Sequence, residues 1–164
     1  ATLAARAKSL NQNQPLVVPV SAKQKLGVVI DKCSSILSFH PSSSLVDNAL
    51  LLIGKSYFYQ GEYVKAERKF LELHGQFPSS SLVLESRLWQ ARTLDQLNRP
   101  DESIAILISL SADAETEGEN ETAAEAHLLI YLVAGPHQGL IPGPFPVMAA
   151  ERAGERVAVP HIAQ

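Results

Sequence analysis

Cysteine is nearly absent from the chain, which has one, Cys33, among 164 residues. A single cysteine cannot form an intrachain disulfide, and it excludes a zinc site built from several cysteines. No two of the five histidines are four residues apart, the spacing that places two metal ligands on one face of a helix. We therefore expect neither a metal site nor a cofactor.

Neither sign of charge is in large excess, because 14 Lys and Arg stand against 17 Asp and Glu and give a net charge of −3. Proteins that bind nucleic acid usually carry a basic patch, so this balance argues against a nucleic-acid partner. The chain also lacks an apolar run of about 18 residues, the length that a membrane-spanning helix needs. Because it begins at Ala1 with no basic and apolar leader, we expect a processed or trimmed product.

Sequence motifs of common enzymes are missing as well. The chain contains no G-x-S-x-G, no P-loop and no G-x-G-x-x-G. Carboxylates are dense from Asp113 to Glu125, but Gly118 and Asn120 interrupt them, which is typical of a solvated loop rather than of an acid–base pair. These absences predict that the chain is not an enzyme.

What the chain does have is an internal repeat. The hexapeptide PSSSLV occurs at Pro41–Val46 and again at Pro78–Val83, an offset of 37 residues. Chance in a serine-rich sequence explains one such match, but the same offset pairs small residues with small ones and large with large. The pairs are Gly54 with Ala91, Tyr57 with Leu94, Gly61 with Asn98, Ala66 with Ser103, Phe70 with Leu107 and Leu73 with Leu110. We conclude that the chain contains repeated units.

Each unit is predicted to be a pair of helices. Leu50, Ile53 and Tyr57 form the apolar stripe of a first helix, which should end at Gly61. The second helix should end before Pro78. Its stripe is Ala66, Phe70 and Leu73.

Small residues and turn residues refine this prediction. Gly54 and Ala66 are small residues in otherwise bulky stripes, so we expect the two helices to cross closely there. In the next unit, Asn98 should cap the following helix and Pro100 should lie in its first turn. By the same offset Cys33 takes the position of Phe70, so it should be an apolar core residue.

These residues resemble the tetratricopeptide repeat, with a good match from about residue 47 to 110 and one departure at Leu73. The matching positions are Leu50, Ile53, Gly54, Tyr57, Gly61, Tyr63, Ala66, Phe70 and Pro78. The resemblance implies an all-α fold, a superhelix of helix–turn–helix repeats of about 37 residues, and a role as a protein–protein interaction scaffold or assembly subunit. The long period is similar to repeats of bacterial cell-envelope proteins, which favours the periplasm or cell envelope as the location.

The repeats are expected to fill residues 23–134, with irregular extensions on both sides. Residues 1–22 form the N-terminal extension, with a loop from Leu10 to Ser21, and residues 135–164 form a Gly/Pro-rich tail. The last predicted helix, Ala123 to Ala134, is apolar nearly all round. We expect either the tail or another chain to cover it, which makes self-association through this helix a possibility.

The partner should bind to the face of each first helix that is not used for packing. In the first copy that face combines apolar and aromatic residues with Lys55, and we expect Lys55 and Arg92 to meet carboxylates of a bound peptide. The predicted groove residues are Asn48, Leu51, Lys55, Phe58, Tyr59, Glu85, Leu88, Arg92, Asp95 and Gln96.

Three alternatives stay open from the sequence. The competing interpretation is that the apolar members of the groove set, Leu51, Phe58 and Tyr59, pack against the N-terminal residues. RNA-binding helical repeats have a similar period but need a basic groove, and the two stripes pair Lys55 and Arg92 with Glu85 and Asp95. The repeats also fit a regulatory arm of an enzyme whose catalytic part lies outside this chain.

Overall fold

The computed structural model describes residues 18–134, which form six α-helices and no strand. The all-α prediction is therefore confirmed for this part of the chain. No helix in this range is both long and apolar enough to cross a membrane. The predicted N-terminal loop up to Val17 and the tail from Gly135 lie outside the described residues. The helices are α1 (Val20–Phe39), α2 (Val46–Gln60), α3 (Tyr63–Gln76), α4 (Val83–Gln96), α5 (Pro100–Glu117) and α6 (Asn120–Ala134).

Each helix packs against the next one in the chain. In the predicted pairs, α2 and α4 are first helices, α3 and α5 are second helices, and α6 begins a third pair. The first helices also contact one another, α2 with α4 and α4 with α6. Because α1 matches the second helix of a pair, Cys33 packs with Ala49 and Ile53 of α2, which confirms its predicted core position.

The 37-residue offset holds for the backbone as well as for the sequence. In the first PSSSLV turn the Ser43 hydroxyl accepts the N–H of Leu45 at 3.2 Å, and in the second the Ser80 hydroxyl accepts the N–H of Leu82 at 3.2 Å. The Ser80 hydroxyl also donates to Asp47 at 2.7 Å and so holds the pKa of that carboxyl below its usual value. The PSSSLV sequence therefore forms the same turn in both copies, and in the second copy it also forms a hydrogen bond with Asp47 of the preceding unit.

The two turns within the pairs and the turn from α5 to α6 share a left-handed residue. Gly61, Asn98 and Gly118 have φ values of 82°, 58° and 80°, a region that glycine and asparagine tolerate best. In all three turns the next residue donates its N–H to the carbonyl five residues back, at 2.8 to 2.9 Å. Asn98 thus ends α4, and the prediction that it caps the following helix is wrong. Pro100 is the first residue of α5, as predicted.

The helix pairs cross closely where the small residues were found. A Cβ on Gly54 would lie 2.4 Å from the ring of Phe70, which is fully buried in α3. At the equivalent crossing in the next pair, the hydroxyl of Ser103 donates to the carbonyl oxygen of Ala91 at 2.8 Å. A side chain larger than hydrogen at Gly54 would clash, so the close crossing predicted for α2 and α3 is confirmed, and the bond from Ser103 shows that α4 and α5 also approach closely.

Two further local predictions are wrong. Helix α1 begins at Val20, inside the segment predicted to be a loop, because Pro19 immediately precedes a helix without interrupting it. The acidic run from Asp113 to Glu125 is largely helical and contains only the short turn at Gly118 and Glu119. Glutamate is a good helix former, and the single glycine provides the turn without breaking up the whole run.

Candidate functional site

A groove of about 550 Å³ lies between α4 and α6, and the turn from α5 to α6 borders it. First helices line both of its long sides, as the stacking of the pairs requires. Hereafter "the groove" means this space. Its lining residues are Ser81, Leu84, Glu85, Leu88, Trp89, Arg92, Glu117, Glu119, Glu121, Thr122 and Glu125.

Three of the predicted residues, Glu85, Leu88 and Arg92, line the groove. Thr122 and Glu125 of α6 line the opposite side. These two positions are 37 residues after Glu85 and Leu88, so they are the third copy of the same stripe. The groove residues predicted from the sequence end in α4. Applying the 37-residue offset once more would have identified Thr122 and Glu125.

Leu51 and Leu88 were predicted to be exposed, and this is wrong. Their exposed fractions are 5% and 4%, and both belong to the core clusters. A first helix in the stack contacts its own second helix, the preceding second helix and the next first helix. One stripe of apolar residues is too narrow to cover all three contacts, so Leu51 and Leu88 join the buried surface.

The two predicted cations are paired within the chain. Lys55 of α2 forms an ion pair with Glu85 of α4, and Arg92 of α4 forms one with Glu125 of α6. Each pair therefore joins one first helix to the next. The expectation that Lys55 and Arg92 are available for the carboxylates of a peptide is not supported, since carboxylates of the chain itself already neutralise them.

Trp89 forms the centre of an aromatic cluster beside the groove. Its ring centroid lies 5.3 Å from that of Phe58 and 5.6 Å from that of Tyr59, both in edge-to-face geometry. The Lys55 ammonium lies 5.2 Å and the Arg92 guanidinium 4.7 Å from the same centroid. Within the described residues, Phe58 and Tyr59 thus pack on Trp89, while any packing against residues before Val18 falls outside this range.

The sequence analysis missed Trp89, although two signals were available. It is the only tryptophan in the chain, and it directly follows Leu88 and lies one helical turn before Arg92. The period of 37 residues did not select it because the equivalent residue, Leu52, is an exposed aliphatic side chain.

The remaining predicted residues lie away from the groove lining. Asn48, Asp95 and Gln96 are exposed. The side chain and backbone of Asn48 both donate to its neighbour Asp47, at 3.2 and 2.8 Å. We find no role for these three residues in the groove.

The lining of the groove is strongly acidic. Five of its residues are glutamates and one is an arginine. Glu85 and Glu125 are paired with Lys55 and Arg92, whereas the other three have no ion-pair partner among residues 18–134. These three are Glu117, Glu119 and Glu121, and all are exposed.

The side chains of the groove offer noncovalent contacts: an indole ring, leucine side chains and carboxylates. Within residues 18–134, no group of three or more His, Cys, Asp or Glu is arranged to hold a metal ion. Cys33 lies in the core, where burial raises the pKa of its thiol. Neither feature adds a reactive group to the groove.

No protein-family model and no curated protein matches the chain, so the resemblance to the tetratricopeptide repeat rests on its own residues.

Proposed function

We propose that the chain is a protein-binding scaffold or assembly subunit of the tetratricopeptide-like type, which holds a segment of another protein in the groove between α4 and α6. The observation that carries the proposal is that repeated positions of consecutive first helices meet in one concave space. Glu85 and Leu88 face this space from α4, and Thr122 and Glu125 face it from α6. Helical repeats commonly bind their partners on such a shared concave surface.

The size and lining of the groove suit a peptide segment. Its volume of about 550 Å³ falls within the usual range of ligand sites, roughly 300 to 1,000 Å³. Leu84, Leu88 and Trp89 offer apolar contact, and glutamates surround them. This combination of an apolar centre and a polar rim is typical of protein interfaces.

The acidic lining argues against the RNA-binding alternative, because carboxylates repel phosphates and RNA affinity depends largely on Lys and Arg. A regulatory arm of an enzyme would bind its partner through the same groove, so that alternative changes the partner and not the mode of binding. For location we retain the bacterial cell envelope as part of the proposal, on the basis of the repeat length alone.

Filling the groove should weaken binding without disturbing the helices. Thr122→Tyr places a large ring into the space from the α6 side, whereas Ala124→Tyr adds the same ring at an exposed position of the same helix outside the lining. A peptide should first be selected on the full chain from a displayed random library. We expect Thr122→Tyr to weaken its affinity by about tenfold or more, equivalent to roughly 1.4 kcal/mol, and Ala124→Tyr to leave it unchanged.

Equal affinities for the parent and Thr122→Tyr, with both proteins equally helical by circular dichroism, would contradict the proposal. A library that yields no binder to the parent chain would contradict it as well.

A further inference from the structure

We infer that the segment bound in the groove is basic, with lysine or arginine side chains directed at the α5–α6 turn. This inference rests on the proposed function and specifies its partner. It follows from three properties of the groove: the glutamates at its rim, the internal pairing of its cations, and the apolar surface beneath.

The glutamates lie together at one end of the groove. Glu117 ends α5, Glu119 is in the turn, and Glu121 is in the first turn of α6. All three are exposed, and none has an ion-pair partner among the described residues. A bound segment therefore meets a border of negative charge that no cationic side chain among residues 18–134 neutralises.

The nearby cations do not reverse this charge. Arg92 is the one cation in the lining, and its guanidinium is paired with Glu125. Lys55, beside Trp89, is paired with Glu85. Two cations thus face five glutamates, and the excess of three negative charges is concentrated at the turn. An acidic peptide would be repelled there, so the groove discriminates by charge.

The apolar part of the lining fits the same side chains. Lysine and arginine carry a long aliphatic stem and a charged end, and they bury the stem along apolar surface while the charge stays at a polar edge. Here the partly exposed Trp89 ring supplies the accessible apolar surface, because Leu84 and Leu88 are only 8% and 4% exposed, and Glu119 and Glu121 line the same groove. This arrangement distinguishes the groove from an acidic surface patch, which offers charge alone.

The test compares three fluorescein-labelled peptides of 12 residues that share one apolar framework and carry Lys, Glu or Ser at the same four positions. Binding to the full chain is measured by fluorescence polarisation at low and at physiological salt. We expect the Lys peptide to bind at least about tenfold more tightly than the Ser peptide at low salt, and the difference to shrink as salt screens the charges. The Glu peptide should bind most weakly.

A pair of double variants locates the effect. Glu119→Gln with Glu121→Gln removes two rim charges, whereas Asp31→Asn with Asp101→Asn removes two exposed charges outside the lining. We expect the first pair to reduce the affinity of the Lys peptide by about tenfold and to leave the affinity of the Ser peptide unchanged, since each exposed ion pair contributes modestly and two are lost. The second pair should preserve the preference for Lys.

Equal binding of the three peptides, or a Lys preference that both double variants weaken equally, would overturn the inference and leave the proposed function intact. If the proposed function is wrong, Thr122→Tyr leaves the affinities of all three peptides unchanged. The two failures are therefore distinguishable in the same assay.

Discussion

Replacing Gly54 by alanine should lower the free energy of unfolding by about 1–3 kcal/mol. The added Cβ would lie 2.4, 2.8 and 2.9 Å from three atoms of the Phe70 ring, distances at which either the ring or a helix must move. The ring is fully buried and has little freedom to move aside. Alanine favours a helix over glycine by about 1 kcal/mol, so a net loss would mean that the steric cost exceeds this gain. Chemical denaturation followed by circular dichroism measures the difference.

Two further variants isolate the contact. Gly27→Ala makes the same exchange in α1, where no atom of the other elements in residues 18–134 lies within 4 Å of the new Cβ, and it should leave the stability unchanged or raise it. Phe70→Leu removes two of the three clashing ring atoms, Cε1 and Cζ, including the nearest one, so Gly54→Ala should be less harmful in that background than in the parent. If Gly54→Ala proves as stable as the parent, the close crossing of α2 and α3 is wrong.

Acidification should destabilise the fold between pH 6.5 and 4 through His74. This side chain joins α3 to α4, with its Nε2 atom 3.1 Å from the hydroxyl of the fully buried Ser86. Burial lowers the pKa of His74 from 6.5 to about 4, and the positive charge of Arg87 acts in the same direction. The neutral form is therefore the one that the folded chain accommodates.

The direction of the pH effect follows from this shift. Above pH 6.5 the histidine is neutral in both states, and the fold has its full stability. As the pH falls towards 4, the unfolded chain takes up the proton first, which removes roughly 3 kcal/mol at about 1.4 kcal/mol per pKa unit. The carboxyls of Asp47 and Glu102 also have lowered pKa values, and they add to the acid loss mainly as the pH falls through and below their ordinary pKa values of 3.8 and 4.5.

His74→Gln retains a hydrogen-bonding side chain but does not titrate. Its free energy of unfolding should change much less between pH 7 and pH 4.5 than that of the parent, measured by urea denaturation at each pH. His40→Gln serves as the control because His40 is exposed, and it should retain the parent's pH dependence. An undiminished acid loss in His74→Gln would show that other groups cause it.

The repeat could be predicted from sequence because its signals are local. Turns depend on a few residues with special backbone preferences, and the two PSSSLV copies and the pair Gly61 and Asn98 share them. The small residues Gly54 and Ala91 likewise reveal a close crossing, since few other side chains fit there. The all-α fold class, the number of helices after Pro41 and most of the helix ends could therefore be predicted from local sequence signals.

The groove could be predicted only in part, because its chemistry depends on side chains from different units. Lys55 and Glu85 are 30 residues apart and Arg92 and Glu125 are 33 apart, so their pairing does not follow the 37-residue period. A charge on a helix indicates neither the direction of its side chain nor its partner. The acidic border of the groove was not predicted either, because the sequence pattern near Gly118 indicates a solvated loop and not the rim of a binding site.

Direct mapping of a bound peptide on the labelled full chain is the measurement closest to the central claim. The peptide selected from the displayed library is titrated into isotope-labelled protein while the backbone amide resonances are followed by NMR. Binding in the groove predicts the largest shifts from Ser81, in the turn before α4, to Arg92 of α4, and from Glu121 to Glu125 of α6, with small shifts in α1 and α3. The largest shifts in α1 or α3, with α4 and α6 unchanged, would contradict the claim that this groove is the binding site.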